Sequence, residues 1–146
     1  MSVRLWIVVV AVMILAISEP LRAADSPIEL VVNDSVKIKQ ISIDSLRAIY
    51  SLRQLSWPDG FEVTAFVLDI DGNTHRQFCR DLLRIYPHQL KKGWDRMEYT
   101  GRARGPQVVQ SEQMLLDLVQ QIPGAIGYVQ RAVDIPGVHM ISVSDE

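Results

Sequence analysis

Apolar positions along the chain fall into short runs rich in branched residues and longer stretches with helical spacing. Ile28 to Val32 (IELVV) predicts a buried strand, and Asn33-Asp34-Ser35 behind it is turn chemistry. Ile41 to Tyr50 predicts a helix with Ser42 as its N-cap, because Ile43, Leu46, Ile49 and Tyr50 share one face. Trp57-Pro58-Asp59-Gly60 is a tight turn, and Glu62 to Leu68 is the second strand. A helix follows over His75 to Ile85, with Phe78, Cys79, Leu82 and Leu83 inward, and a further helical stretch from Pro87 carries Leu90, Trp94 and Met97. Tyr99 to Pro106 (YTGRARGP) reads as a loop. Ser111 caps a helix to Gln121, with Met114, Leu115, Leu118 and Val119 inward. Pro123-Gly124 turns into a third strand, Ala125 to Val129, and Val138 to Val143 is the fourth.

Strands alternating with helices, without a repeat, linker or low-complexity segment, predict one α/β domain. Its sheet is expected to be mixed or mostly parallel and flanked by helices. The first residues stand apart from this pattern. Met1 to Arg4 carries one positive charge, Leu5 to Ile17 is an apolar run, and Ser18 to Ala24 ends in small residues. That order is a secretory signal peptide, residues 1–23, with the mature domain over 24–146. The apolar run falls short of the roughly 20 residues that span a bilayer, so an uncleaved N-terminal anchor is the lesser reading and the mature chain is expected to carry no transmembrane segment.

Charge narrows the partners. A formal net charge of −2 gives no basic surface for nucleic acid or an anionic membrane. The single cysteine, Cys79, leaves no internal disulfide, which for an exported chain fits a bacterial periplasm better than a small eukaryotic secreted protein. Cys79 lies on the apolar face of its helix, where a thiol behaves as a small hydrophobe. His75, His88 and His139 are far apart and match no metal or triad spacing, so no catalytic group, metal or cofactor is expected.

Two places carry candidate binding chemistry. Asp71-Gly72-Asn73-Thr74 lies between a strand and a helix, and the unpaired amides of a helix N-terminus accept anions. The same residues also make an ordinary turn with Asn73 or Thr74 as cap. Asp69, Asp71 and Asn73 alternate as in a calcium loop, but position 80, where that motif needs glutamate, is Arg80. Arg102 and Arg104, on the glycine-flanked loop, are either fork-like donors to phosphate or carboxylate or solvated loop charges.

Ser42 to Trp57 (S-x-x-x-L-R-x-I-Y, then W-P-D-G), the D-G turn before Phe78, Tyr99-Thr100-Gly101-Arg102, and Pro123-Gly124-Ala125-Ile126-Gly127-Tyr128-Val129 recur in one order. Over Ile28 to Val129 the chain resembles the phosphate-binding proteins of bacterial ABC transporters, particularly their short single-domain relatives. The resemblance implies a three-layer-like domain corresponding to one lobe of a type 2 periplasmic binding protein. Full-length members close two lobes on phosphate, and only the second lobe is matched. Their ligand turn, R-x-D-G-S-G-T, corresponds to Asp69 to His75, with Asp69 in place of the arginine, Asn73-Thr74-His75 in place of S-G-T, and a helix register that differs by one residue. Leu52 stands where the family has glycine. Losing the guanidinium removes a charge-assisted pair worth about 1.5–3 kcal/mol, and a carboxylate there repels a dianion.

The expected function is an exported, non-enzymatic module binding phosphate or a related oxyanion through Asp71, Gly72, Asn73, Thr74, His75, Arg102 and Arg104. The alternative is a ligand-free interaction module, periplasmic or secreted, that docks on a membrane sensor, porin or transporter partner.

Overall fold

The first strand of the chain lies in the middle of the sheet. In the computed structural model, which describes residues 26–131 and 133–146, β1 (Glu29–Asn33) is flanked on both sides by strands from the far end of the sequence. β5 (Ala125–Val129) and β6 (Val138–Ser144) both run antiparallel to it, with Leu30 opposite Tyr128 on one side and Ile141 on the other. β2 (Gln40–Ser42) is parallel to β6, and β3 (Thr64–Val67) is parallel to both β5 and β4 (Gln107–Val108). The six strands form one mixed sheet in the order β2-β6-β1-β5-β3-β4. The expected export signal, residues 1–23, lies outside the described residues.

Among the described residues four α-helices cover the sheet, and strand alternation assigns them to its two faces. α1 (Ile43–Tyr50), α2 (Asn73–Phe78) and α3 (Pro87–Tyr99) lie on one side, and α4 (Glu112–Gln121) on the other. The string P-G-A-I-G-Y-V explains the division. Gly124 has φ +77° and a Cβ there would stand 2.1 Å from the Glu62 carbonyl oxygen, so only glycine makes this turn. Gly127 leaves room for Leu115 of α4, whose Cδ2 is 2.5 Å from where a Cβ would be. Tyr128 points the other way and stacks on Phe78, ring centroids 3.9 Å apart, while Tyr50 meets Phe78 edge-on at 4.9 Å. These rings are fully buried, as are Leu30, Val31, Phe66 and Ile126, each contributing about 1.5–3 kcal/mol of burial.

Helix starts follow the capping residues. Ser42 Oγ accepts the Ser45 amide at 3.1 Å and Ser111 Oγ accepts the Met114 amide at 3.1 Å. The helix expected from Ile41 begins at Ile43, because Gln40–Ser42 pairs with β6 instead. The helix expected over His75 to Ile85 begins at Asn73 and runs on from Phe78 as a π turn, Cys79–Leu83. Left-handed Arg84, φ 53°, ends it and lets the Ile85 amide reach the Cys79 carbonyl at 3.1 Å. In α4 the buried stripe is Leu115, Leu116 and Val119, which turns Met114 out to half-exposure. Leu52, where the resemblance implies glycine, has φ 62° and is buried. The backbone keeps a glycine-like conformation there at a cost of about 1–2 kcal/mol, offset by the side chain's burial.

Candidate functional site

β3 ends at Val67, and the five residues that follow set the geometry of the turn. The Asp71 amide donates to Asp69 Oδ1 at 3.1 Å, and the Gly72 amide donates to the Asp69 carbonyl at 2.9 Å. The Asp69 side chain thus folds back on its own turn. Gly72 is the N-cap of α2, with extended backbone (φ −78°, ψ 157°), so neither Asn73 nor Thr74 is. No side chain caps α2, and its first turn holds no acidic residue. The Arg76 amide is the first to reach back, to the Gly72 carbonyl at 3.2 Å. The amides of Asn73, Thr74 and His75 therefore form the open, positively polarised end of the helix.

The neighbouring strand brings a second helix start to the same place. β4 is only two residues long, and the Val109 amide bonds the Val67 carbonyl at 2.8 Å beyond it. That pairing delivers Gln110, Ser111 and Glu112 beside residues 68–72. A recess of about 220 Å³ lies between them, bordered by Asp69, Gly72, Thr74, Gln110, Ser111 and Glu112. Because Ser111 Oγ accepts from its own helix, the hydroxyl keeps its proton to donate. The Glu112 carboxylate accepts the Gln130 amide at 2.9 Å, so both carboxylates of the recess are bonded to backbone.

A second recess, about 310 Å³, lies on the other side of the turn, lined by Asp71, His75, Arg76, His88, Lys91 and Trp94 among others. Arg76 donates to Asn73 Oδ1 at 2.9 Å, and Lys91 pairs with Asp95 at 2.9 Å. His75 is 1% exposed. Its Nδ1 lies 2.7 Å from the Tyr128 hydroxyl and its Nε2 lies 3.4 Å from Cys79 Sγ, so the ring faces the core and only the backbone amide belongs to the open helix end. Burial holds the imidazole below its usual 6.5 against the opposing pull of Asp69 and Asp71. Burial also pushes the Cys79 thiol up to about 12, which keeps it protonated and unreactive.

Of the residues singled out in the sequence, Asp71, Gly72, Asn73, Thr74 and the His75 amide are contiguous around one helix end. Arg102 and Arg104 border neither recess. Their loop meets the strand pair where β4 begins, opposite Phe66, whereas the turn leaves where β3 ends. His139 bonds Asp34 and the Ile38 carbonyl, and His88 stacks on Tyr86, so the three histidines stay apart. Ser111, Glu112 and Lys91 entered no candidate set, since a two-residue strand leaves no period to read. Tyr128 had a partial signal: His75, Phe78 and Cys79 are spaced i, i+3, i+4, which puts the imidazole on the apolar face. Among the described residues no group of His, Cys, Asp and Glu is placed to hold a metal, and no helix is long and apolar enough to cross a membrane.

A six-stranded mixed sheet flanked by four helices has the architecture of one lobe of a periplasmic binding protein. The chain is similar to an ABC-type phosphate transport receptor from Vibrio cholerae, at 16% identity over 80% of this chain and 45% of that one, with a TM-score of 0.61. It is also similar to a putative phosphate ABC transporter substrate-binding protein with bound phosphate from Clostridium perfringens (17%, 81% and 45%, TM-score 0.62) and to PstS from Borrelia burgdorferi (16%, 80% and 46%, TM-score 0.57). The chain spans under half the length of these proteins, and the likeness is one of fold. No family model matches the chain, and no curated protein sequence does.

Proposed function

We propose that the chain is an exported, solute-binding-like domain that takes a tetrahedral oxyanion, phosphate or a close relative, at the start of α2. One observation carries the reading: the first turn of α2 opens from Gly72 without a side-chain cap or an acidic residue, while α1 and α4 are each capped by serine. An anion supplies the acceptors that a capping side chain would otherwise provide. The Thr74 and Ser111 hydroxyls border the same recess and have the donor chemistry to complete such a shell. Likeness of fold to phosphate-binding proteins supports the same class of ligand. Export rests on the N-terminal segment, residues 1–23, and places the domain in the periplasm or outside the cell.

Thermal unfolding of residues 24–146 against phosphate, sulfate, phosphonate and carboxylate ions at matched ionic strength tests the reading. A ligand at 100 times its dissociation constant adds about 2.7 kcal/mol, a shift of several degrees in a domain this size. The shift is expected for tetrahedral dianions and lost in Gly72→Val, whose branched side chain screens the amides. Equal midpoints with every ion would refute the anion site and turn attention to protein partners.

A further inference from the structure

Behind the turn lies a small polar network sealed in the core. The Tyr128 hydroxyl accepts the Leu68 amide at 3.0 Å and lies 2.7 Å from His75 Nδ1, and His75 Nε2 lies 3.4 Å from Cys79 Sγ. Leu68 is the first residue after β3, and His75 belongs to the first turn of α2. One hydroxyl, carried by the next-to-last residue of β5, therefore grips both ends of residues 68–75. Among the described residues no buried side-chain polar atom is left without a partner, so the network is complete.

Counting protons fixes the tautomer. Tyr128 has one hydroxyl proton, and its oxygen already receives the Leu68 amide, so the proton goes to an acceptor at His75 Nδ1. Nε2 then carries the imidazole proton and points it at Cys79 Sγ. A protonated ring reverses Nδ1 into a donor, which leaves the Tyr128 proton without an acceptor among the side chains around it.

We propose that Tyr128 and neutral His75 are the positioning residues of the β3–α2 turn, holding the amides of α2 in place and letting go when the imidazole gains a proton. The consequence for binding rests on the reading of that turn as an anion site; the positioning itself does not. Groups facing the ring pull in both directions. Asp69 and Asp71 from the turn favour the proton, while burial beside Tyr128, Cys79 and Trp94 opposes it, and Arg76 and Lys91 add positive charge across the adjoining recess, which His88 also lines. Tyr50 stands behind Tyr128, ring centroids 6.4 Å apart, and burial holds its phenol neutral. Burial wins, and the folded ring titrates below 6.5. In that window the unfolded chain binds more protons, so the stability from the neutral ring is whole above 6.5 and is lost as pH falls towards the folded value.

NMR on residues 24–146 tests this without any anion. The wild type should show the Nε2–H tautomer, and its Gly72, Asn73 and Thr74 amide signals should move as His75 titrates. Tyr128→Phe should speed exchange of the Leu68 amide about tenfold and displace the turn signals, leaving those of α4 in place. His75→Asn sets a carbonyl where Nδ1 stands and does not titrate, so its turn signals should lose their response between about pH 7 and pH 5. An Nδ1–H tautomer in the wild type, or turn signals indifferent to Tyr128→Phe, or an unchanged pH response in His75→Asn would overturn the proposal. Sulfate, a dianion throughout this range, should bind the wild type several-fold more weakly at the acid end. Failure of sulfate to bind at neutral pH with the network intact refutes the anion reading and leaves the positioning standing.

Discussion

Helices α2 and α4 begin at the same recess and treat their first-turn amides in opposite ways. α4 is closed by its own sequence: Ser111 accepts the Met114 amide, and Glu112 in the first turn complements the helix dipole and holds the Gln130 amide. α2 starts from Gly72, has no capping side chain, and follows two carboxylates of its own turn, of which Asp69 is tied back to the Asp71 amide. The two helices also differ in their seats. α4 packs Leu115 into the gap over Gly127, an apolar contact that needs only clearance. α2 rests on Phe78 stacked against Tyr128 and is tied through His75 to the hydroxyl of the same tyrosine. The capped helix is finished as it stands. The uncapped one carries its stability in its anchor and leaves its end available.

The largest effect should come from removing that anchor. Phe78→Ala is expected to cost about 3–5 kcal/mol, read as a fall in the urea midpoint, and to abolish any anion-dependent stabilisation with it. Exchanging the caps sharpens the contrast. Ser111→Ala should cost about 1 kcal/mol and keep most of the anion response, whereas Gly72→Ser should change stability little and erase that response, since its hydroxyl would occupy the open amides. Equal anion responses in the two variants would show that the helices are not different in kind. The smallest effect belongs to Asp69. Asp69→Asn keeps the acceptor for the Asp71 amide and removes a charge, so calorimetry should find oxyanion affinity raised about threefold, more at low salt. Asp69→Arg should raise it further; weaker binding in either variant would put the ligand elsewhere.

Much of this architecture could be read from residue patterns. The run IELVV, the Ser42 and Ser111 caps and the string ending in Val129 mark β1, α1, α4 and β5 within a residue or two. β2 and β4 were not legible, because strands of three and two residues are too short to show alternation and exist only through pairing with β6 and β3. The antiparallel placement of β1 between β5 and β6 follows from contacts more than ninety residues apart, which local pattern does not encode. At the site, the turn itself was visible as Asp-Gly-Asn-Thr between a strand and a helix. Ser111 and Glu112 were not, since β4 brings them there. Two arginines between glycines suggest a clamp, but where Arg102 and Arg104 sit follows from the register of Gln107 against Phe66, which their composition does not encode.

The placement of β1 also governs when the fold can exist. Its two partners are the last strands of the chain, and each lies against it along almost its whole length. Until residue 138 and those after it are available, the centre of the sheet has one open side, and loop closure over about a hundred residues must precede the pairing that rewards it. The centre of the sheet is therefore completed by pairings between one end of the domain and the other, and β1 has no sheet partner among its near neighbours in sequence.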